Sequence, residues 1–468
     1  MTDVALTKRI RGWMMFDWAS QPYNTLLLTF IFGPYFAEIL SDRLMGEGLE
    51  PEAAKARAQA VWGWGLAFAG ALIAIMAPIL GAMADSTGRR LPYIWSFSVL
   101  YVIGASGLWF ADPANFSVTL VLGFFIFGLI GMEFATIFTN AMLPDLGPSD
   151  EIGRLSGSGW AIGYCGGLLA LILTLCFLAE NGSGKTLIGW APAFGLDAAM
   201  REGTRSVGPF MAVWYVVFMI PFVLWVKETP STRVVPKEAV GRAIGDLGRT
   251  LKRLPKSPSL TAYLGSSMLY RDALNGMYTF GGIYAGGVLG WSVVDVGVFG
   301  ILAVIFGAIF AFFGGRADSR YGPKPVIVVS ILALIAAAIG IVSIAPSSLF
   351  GIPVSEANIF ASFSAADLGF YLCGCVVGAA GGTVQAASRT MLVRQANPDR
   401  MTEAFGLYAL AGKATAFLAP ALIALVTTVS DSQRIGVTPV IGLFLIGLIL
   451  LIWVKPEGED KELWASDS

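Results

Sequence analysis

The chain has 468 residues, a formal net charge of −1, and only 13% charged residues against 56% hydrophobic ones. An ordinary soluble domain carries about 25% charged residues, so this balance excludes one and points to a membrane protein. Histidine is absent, and the four cysteines (Cys165, Cys176, Cys373, Cys375) fall inside apolar runs, which excludes an imidazole relay and argues against a disulfide framework or a metal cluster.

A bilayer core ~30 Å thick needs ~20 apolar residues per helix. The first such run, 13–40, follows Lys8, Arg9 and Arg11. It is longer than a signal-peptide core and lacks a small-x-small site at its end, so it is expected to stay in the mature protein. Further spans are expected near 60–83, 91–111, 117–143, 155–179 and 207–227. A second set lies near 258–288, 294–315, 325–345, 366–388, 402–428 and 436–454. All are too long and too uniformly apolar for barrel strands, so the expected class is an all-α membrane protein of twelve transmembrane helices.

Placing the N-terminus in the cytoplasm puts 22 Lys and Arg in inner segments and 7 in outer loops. The positive-inside pattern then places both termini in the cytoplasm of a multi-pass inner-membrane protein. The basic stretch 228–257 divides the chain into an N-terminal six-helix bundle, 1–227, and a C-terminal one, 258–468, with a short cytoplasmic tail. Within it Val240, Ile244, Leu247, Leu251 and Leu254 share one helical face, with Arg242, Arg249, Lys252 and Arg253 mostly off it. That suits a helix lying on an anionic leaflet, or a solvated linker helix.

The halves echo each other. Asp17 and Tyr23 in span one correspond to Asp272 and Tyr278 in span seven, both D-x5-Y. Asp85 after span two corresponds to Asp318 after span eight. Gly157 and Gly163 in span five correspond to Gly406 and Gly412 in span eleven.

Gly81-Ala-Met-Ala-Asp85-Ser-Thr-Gly88-Arg89-Arg90, between spans two and three, resembles the signature of the major facilitator superfamily. A degraded copy holds Gly314, Asp318, Gly322 and Lys324 between spans eight and nine. Glycine permits the tight turn, and the carboxylate suits the positive N-terminal end of a helix. Spans five and eleven both begin on the expected cytoplasmic side, and Asp85 against span eleven would form a conformational latch. A solvated turn is the alternative.

Asp17-Trp18-Ala19, Leu269-Tyr270-Arg271-Asp272, the glycine-rich ends of spans five and ten, and Phe405–Lys413 together resemble the vacuole effluxer (autophagy-related protein 22-like) branch of that superfamily. The resemblance covers nearly the whole chain. It implies the major facilitator fold, two parallel six-helix halves, and a transporter without cofactor, metal or enzymatic activity. Fungal members export amino acids from the vacuole. One departure is Ala273 after Asp272, where relatives often have glycine.

Ionisable residues inside spans are functional candidates because burying charge in lipid is costly. Here these are Asp17, Glu133, Arg271, Asp272 and Lys413. Asn24, Asn140, Asn275, Tyr23, Tyr278, Gln385 and Arg389 are candidate cavity lining. Static pairs that fix helix packing are the alternative for the charges, and snorkelling for Arg389. The glycine pairs are read as close helix packing rather than phosphate binding. The expectation is a monomeric carrier among membrane lipids, moving a small polar solute, an amino acid by efflux, coupled to protons. A sugar or nucleoside symporter, or a sensor that kept the fold, stays open; a sensor would usually add a soluble domain to such short tails.

Overall fold

The computed structural model describes residues 3–181, 183–228, 257–289, 293–355, 363–430 and 432–458, together with Gly248, Trp291 and Ala357. Among them eleven helices are long and apolar enough to cross a membrane: Val4–Gly46, Val61–Thr87, Leu91–Phe110, Val118–Asn140, Ile152–Phe177, Glu202–Trp225, Phe299–Tyr321, Pro323–Val342, Ala365–Gln395, Pro398–Thr427 and Arg434–Trp453. The remaining expected span is the 31-residue helix Pro258–Val288. It is long enough at ~1.5 Å per residue, but its serines, Asn275, Arg271 and Asp272 make it more polar than the others. The helical membrane architecture read from the sequence is therefore the one observed. The linker positions Val240, Ile244, Leu247, Leu251 and Leu254, and the tail from 459, lie outside the described residues.

Three features depart from simple rods. The first span is two helices, Asp3–Pro22 and Phe32–Gly46, joined by π-helical turns over Tyr23–Phe30. Proline has no N–H for the carbonyl four residues back. Pro22 thus releases the Trp18 carbonyl, which accepts instead from Trp214 Nε1 at 3.3 Å. The same carbonyl needs a bare neighbour: a Cβ on Gly166 of span five would lie 2.6 Å from it. Span eleven is also broken, into Met401–Ala414 and Leu418–Ser430, with Pro420 in the first turn of the second piece. Third, the loop after span nine forms a small hairpin, Ser348–Leu349 paired with Ile352–Pro353, which no alternation in the sequence announced.

The chain divides into two units, Met1–Met142 with Ile162–Lys237, and Leu143–Ala161 with Glu238–Ser468. The dividing line crosses span five, so the first turns of that helix belong with the later part of the chain. In the first unit, aromatic stacking fills the interior, with Tyr101 on Tyr215 at 4.1 Å and Tyr23 edge-on to Tyr101 at 5.1 Å. In the second unit, spans eight and ten touch backbone to backbone, with a Cβ on Gly382 falling 2.5 Å from the Gly307 carbonyl. Small residues at such crossings gain van der Waals contact that lipid cannot supply.

Candidate functional site

In the first unit the candidates lie along two half-buried stripes. On span one, Asp17, Gln21 and Asn24 recur at four and three residues, all half-buried, while Phe16, Ala19 and Tyr23 turn into the packed interior. On span four, Glu133, Thr136 and Asn140 recur at three and four, again half-buried between buried neighbours. Among the bonds that tie the spans together, Trp13 Nε1 donates to the Thr139 carbonyl at 2.8 Å, and Asn24 Nδ2 to Met132 Sδ at 3.8 Å. Asp17, Glu133 and Asn140 all have partners.

Tyr23 is not on this stripe. It is fully buried, and its hydroxyl donates to the Phe125 carbonyl at 2.7 Å. Six residues after Asp17, it points ~120° away around the helix, which puts it among spans three and four.

In the second unit, span seven presents Arg271, Asn275 and Tyr278 on one half-buried to exposed face, at spacings of four and three. The Arg271 guanidinium lies 4.1 Å from the Tyr408 ring centroid and donates to the Tyr408 carbonyl at 3.2 Å. Gly412 makes this possible, because a Cβ there would fall 2.6 Å from Arg271 Nη1. No carboxylate pairs with Arg271 among the described residues. Lys413, the next residue, is partnered and sits in the last turn of the first piece of span eleven, where a cation suits the helix dipole. Tyr278 reaches span ten, its hydroxyl against Gly381, one turn from the half-buried Gln385.

Asp272 faces elsewhere. It is 2% exposed, and Oδ2 accepts from the Ala419 N–H at 2.8 Å, at the start of the second piece of span eleven. The break in that span leaves N–H groups without intrahelical acceptors, and a carboxylate is their natural partner. The other oxygen, Oδ1, has no hydrogen bond. Arg271 and Asp272 therefore flank one helix break from two sides, the guanidinium over the turn before it and the carboxylate at the turn after it. Tyr408 and Ala419 complete this arrangement. Tyr408 stood in a quoted motif without being singled out, and a backbone N–H carries no signal in side-chain identity.

Arg389 ends in neither lipid nor water. It is 4% exposed; Nε donates to Ser156 Oγ at 3.1 Å and Nη2 to the Ser156 carbonyl at 2.7 Å, with the guanidinium 5.3 Å from the Trp160 ring centroid. Ser156 Oγ in turn donates to the Ala386 carbonyl at 2.8 Å. This strut ties the start of span five to span ten.

The signature stretches close turns. Span two starts the first, with Gly81 buried inside it, and ends on Gly88 at φ 64. Asp85, buried, lies 3.7 Å from the Arg90 guanidinium, and Arg89 is exposed. The backbone N–H groups of Arg90 and Leu91 both donate to Glu228 Oε1, so a residue beyond span six caps span three. In the second copy Gly322 adopts φ 84 and Lys324 Nζ donates to the Val454 carbonyl at 2.7 Å. Asp318 is 1% exposed and lies against the first turn of span five, where a Cβ on Gly153 would fall 2.5 Å from its Cγ. Beside it Ser319 Oγ accepts from the Arg154 N–H at 2.8 Å. A Cβ on Gly314 would fall 2.5 Å from Thr383 of span ten.

A helix broken inside the membrane, with ionisable side chains at the break, is an arrangement found in carriers. Here it is set in the architecture of the major facilitator transporters. The chain superposes on the proton:xylose symporter XylE bound to 6-bromo-6-deoxy-D-glucose with a TM-score of 0.68 at 12% identity, covering 98% of each chain. On the human organic anion transporter MFSD10 (TETRAN) the score is 0.66 at 15% identity, over 96% of this chain and 100% of that one.

Within that superfamily the chain belongs to the family described as Vacuole effluxer Atg22 like, whose model matches residues 6–463. It is 23% identical over 456 residues to an uncharacterised MFS-type transporter, YxiO, of Bacillus subtilis (strain 168), covering 96% of each. It is also 23% identical over 315 residues to autophagy-related protein 22 of Coccidioides immitis (strain RS), and spans about half of that protein, 47%.

Proposed function

We propose that this protein is a secondary carrier that exports a small carboxylate-bearing metabolite, an amino acid, by alternating access coupled to protons. The observation that carries the proposal is Arg271. A guanidinium inside a membrane span is costly and is kept where it has work. This one is held by Tyr408 and Gly412, with no carboxylate paired to it among the described residues. Its planar fork suits a solute carboxylate in two parallel hydrogen bonds. Asp17 and Asp272 are the proposed proton or amine sites, since no histidine exists to take that part. Asn24, Glu133, Asn140, Asn275, Tyr278, Gln385 and Lys413 are proposed to border the path. Asp85, Asp318 and the turns around them are proposed as latches, each carboxylate set near a helix start or a cation.

The test is uptake and exchange in reconstituted vesicles, screened over amino acids, other organic acids and sugars, with and without a pH gradient. Arg271→Gln should raise KM for the carboxylate solute by at least ten-fold, and Arg271→Lys by less. Transport of a sugar alone, with KM insensitive to Arg271, would refute the carboxylate reading. The amide-bearing stripe Gln21–Asn24 fits that second reading equally, because amides bind hydroxyls as well as they bind amino acids.

A further inference from the structure

Spans eight, nine and ten of the second unit enclose a groove of about 730 Å3. Small residues such as Ala317, Ala333 and Ala379 form its floor, and Phe306, Phe310 and Phe313 its walls. Two of its three hydroxyls are spent on their surroundings: Ser330 Oγ donates to the Val326 carbonyl at 2.8 Å, and Thr383 Oγ1 to the Phe310 carbonyl at 2.9 Å; the third, on Tyr321, stands at one end. Away from the Tyr321 end nothing in it could orient a polar solute, which separates it from the break in span eleven.

The shape is that of a trough. On span eight its lining runs from Phe306 to Tyr321, ~22 Å at ~1.5 Å per residue, against ~15 Å for one leaflet of a ~30 Å hydrocarbon core. The Tyr321 end is basic. Arg320 lies 5.3 Å from the Tyr321 ring centroid, and Arg316, one turn earlier, lies 3.4 Å from that of Phe312. Both are exposed, and neither pairs with a carboxylate among the described residues.

An apolar trough at least as long as a leaflet, with the Arg320 guanidinium beside its Tyr321 end and Arg316 one turn away, has the form of a phospholipid in negative. We propose that it is a binding site for an acyl chain of an anionic phospholipid, whose phosphate is held by Arg320 and Arg316. The charge supplies selectivity, about five-fold per arginine near an anionic surface. The trough supplies residence, because each buried methylene adds to binding. Gly314 and Thr383 line the trough and also pack on each other, so the lipid sits on the seam between spans eight and ten.

The experiment uses full-length protein, delipidated in detergent, with bound lipid counted by native mass spectrometry. Phosphatidylglycerol and phosphatidylcholine of identical chains are titrated separately. Phosphatidylglycerol should bind at least five-fold more tightly, and Arg316→Gln with Arg320→Gln should abolish that preference by weakening phosphatidylglycerol more than phosphatidylcholine, whose phosphate is offset by its own ammonium. Ala379→Phe, which fills the trough, should weaken both lipids at least five-fold, with Ala333→Phe as a second filler should the first not fold. A preference that survives loss of both arginines overturns the proposal, as does unaltered binding by a folded filler variant. Competition by glycerophosphoglycerol, the headgroup without chains, would mark a simple phosphate site and also overturn it.

Discussion

Replacing Asp272 by asparagine and by alanine separates a structural carboxylate from a working one. The Asp272 side chain is 2% exposed, has one hydrogen bond, to the Ala419 N–H at 2.8 Å, and leaves Oδ1 bare. An ionised carboxylate gains about 1.5–3 kcal/mol from a charged hydrogen bond and up to about 2 kcal/mol from a helix N-terminus. Burying the charge costs several kcal/mol, so the two sides nearly cancel and the acid earns the fold little. Asparagine keeps a carbonyl that can accept the Ala419 N–H and carries no charge. Asp272→Asn should therefore melt within a few degrees of the parent, while Asp272→Ala, which orphans that N–H, should lose about 1–3 kcal/mol. If Asp272 carries the proton, the asparagine variant should lose gradient-driven accumulation and keep solute exchange, which moves no net proton. If it binds an amine, accumulation and exchange should fall together. Thermal melting in detergent and both transport modes in vesicles are the assays. A strongly destabilised Asp272→Asn, or one that accumulates solute normally, would refute the reasoning.

Cysteines placed at Ser183 and Ser348 should label from outside intact cells with an impermeant reagent, and those at Ser231 and Ser466 should not; the reverse would overturn the orientation drawn from the Lys and Arg count. Asp85→Asn should leave folding intact and raise thiol accessibility at inward-facing cavity positions, because an amide interacts less with Arg90 and with a helix terminus; unchanged accessibility with normal transport would reduce Asp85 to a turn residue. Arg389→Lys should lower the melting temperature although charge is kept, since one ammonium cannot hold both oxygens of Ser156 and cover Trp160; a parental melting curve would contradict the strut. Gly166→Val should fold poorly, at a cost of about 1–3 kcal/mol from overpacking, because its Cβ would meet the Trp18 carbonyl at 2.6 Å; normal yield and melting would show that the two spans can part.

The spans were legible because lipid imposes a length and an apolarity that few other constraints mimic. Pro258–Val288 was legible too, although more polar, because its apolar residues still run the length of a span, and Asp272 and Tyr278 then echo Asp17 and Tyr23. The same repeat misdirects at the level of the side chain. Tyr23 is locked into the aromatic interior of its unit, while Tyr278 is exposed against Gly381. Spacing fixes an angle around a helix and says nothing of which neighbour occupies that angle. Arg389 shows the other limit. At the end of a span it could equally snorkel, and its bonds to Ser156 run to a residue 233 positions away.

Sequence by itself determined that this is a helical membrane protein, where most of its spans fall, which turns carry the paired signature, and which charges lie within the spans. These depend on composition and short-range periodicity, and the bilayer reads them directly. Tertiary structure alone decided that Asp272 caps the second piece of a broken span eleven and that Arg271 lies on Tyr408 at the turn before the break. It also decided that the first turns of span five belong with the later part of the chain. Each depends on a backbone group released by an interrupted helix, or on a glycine that lets a neighbour approach, and neither exists until the helices have packed.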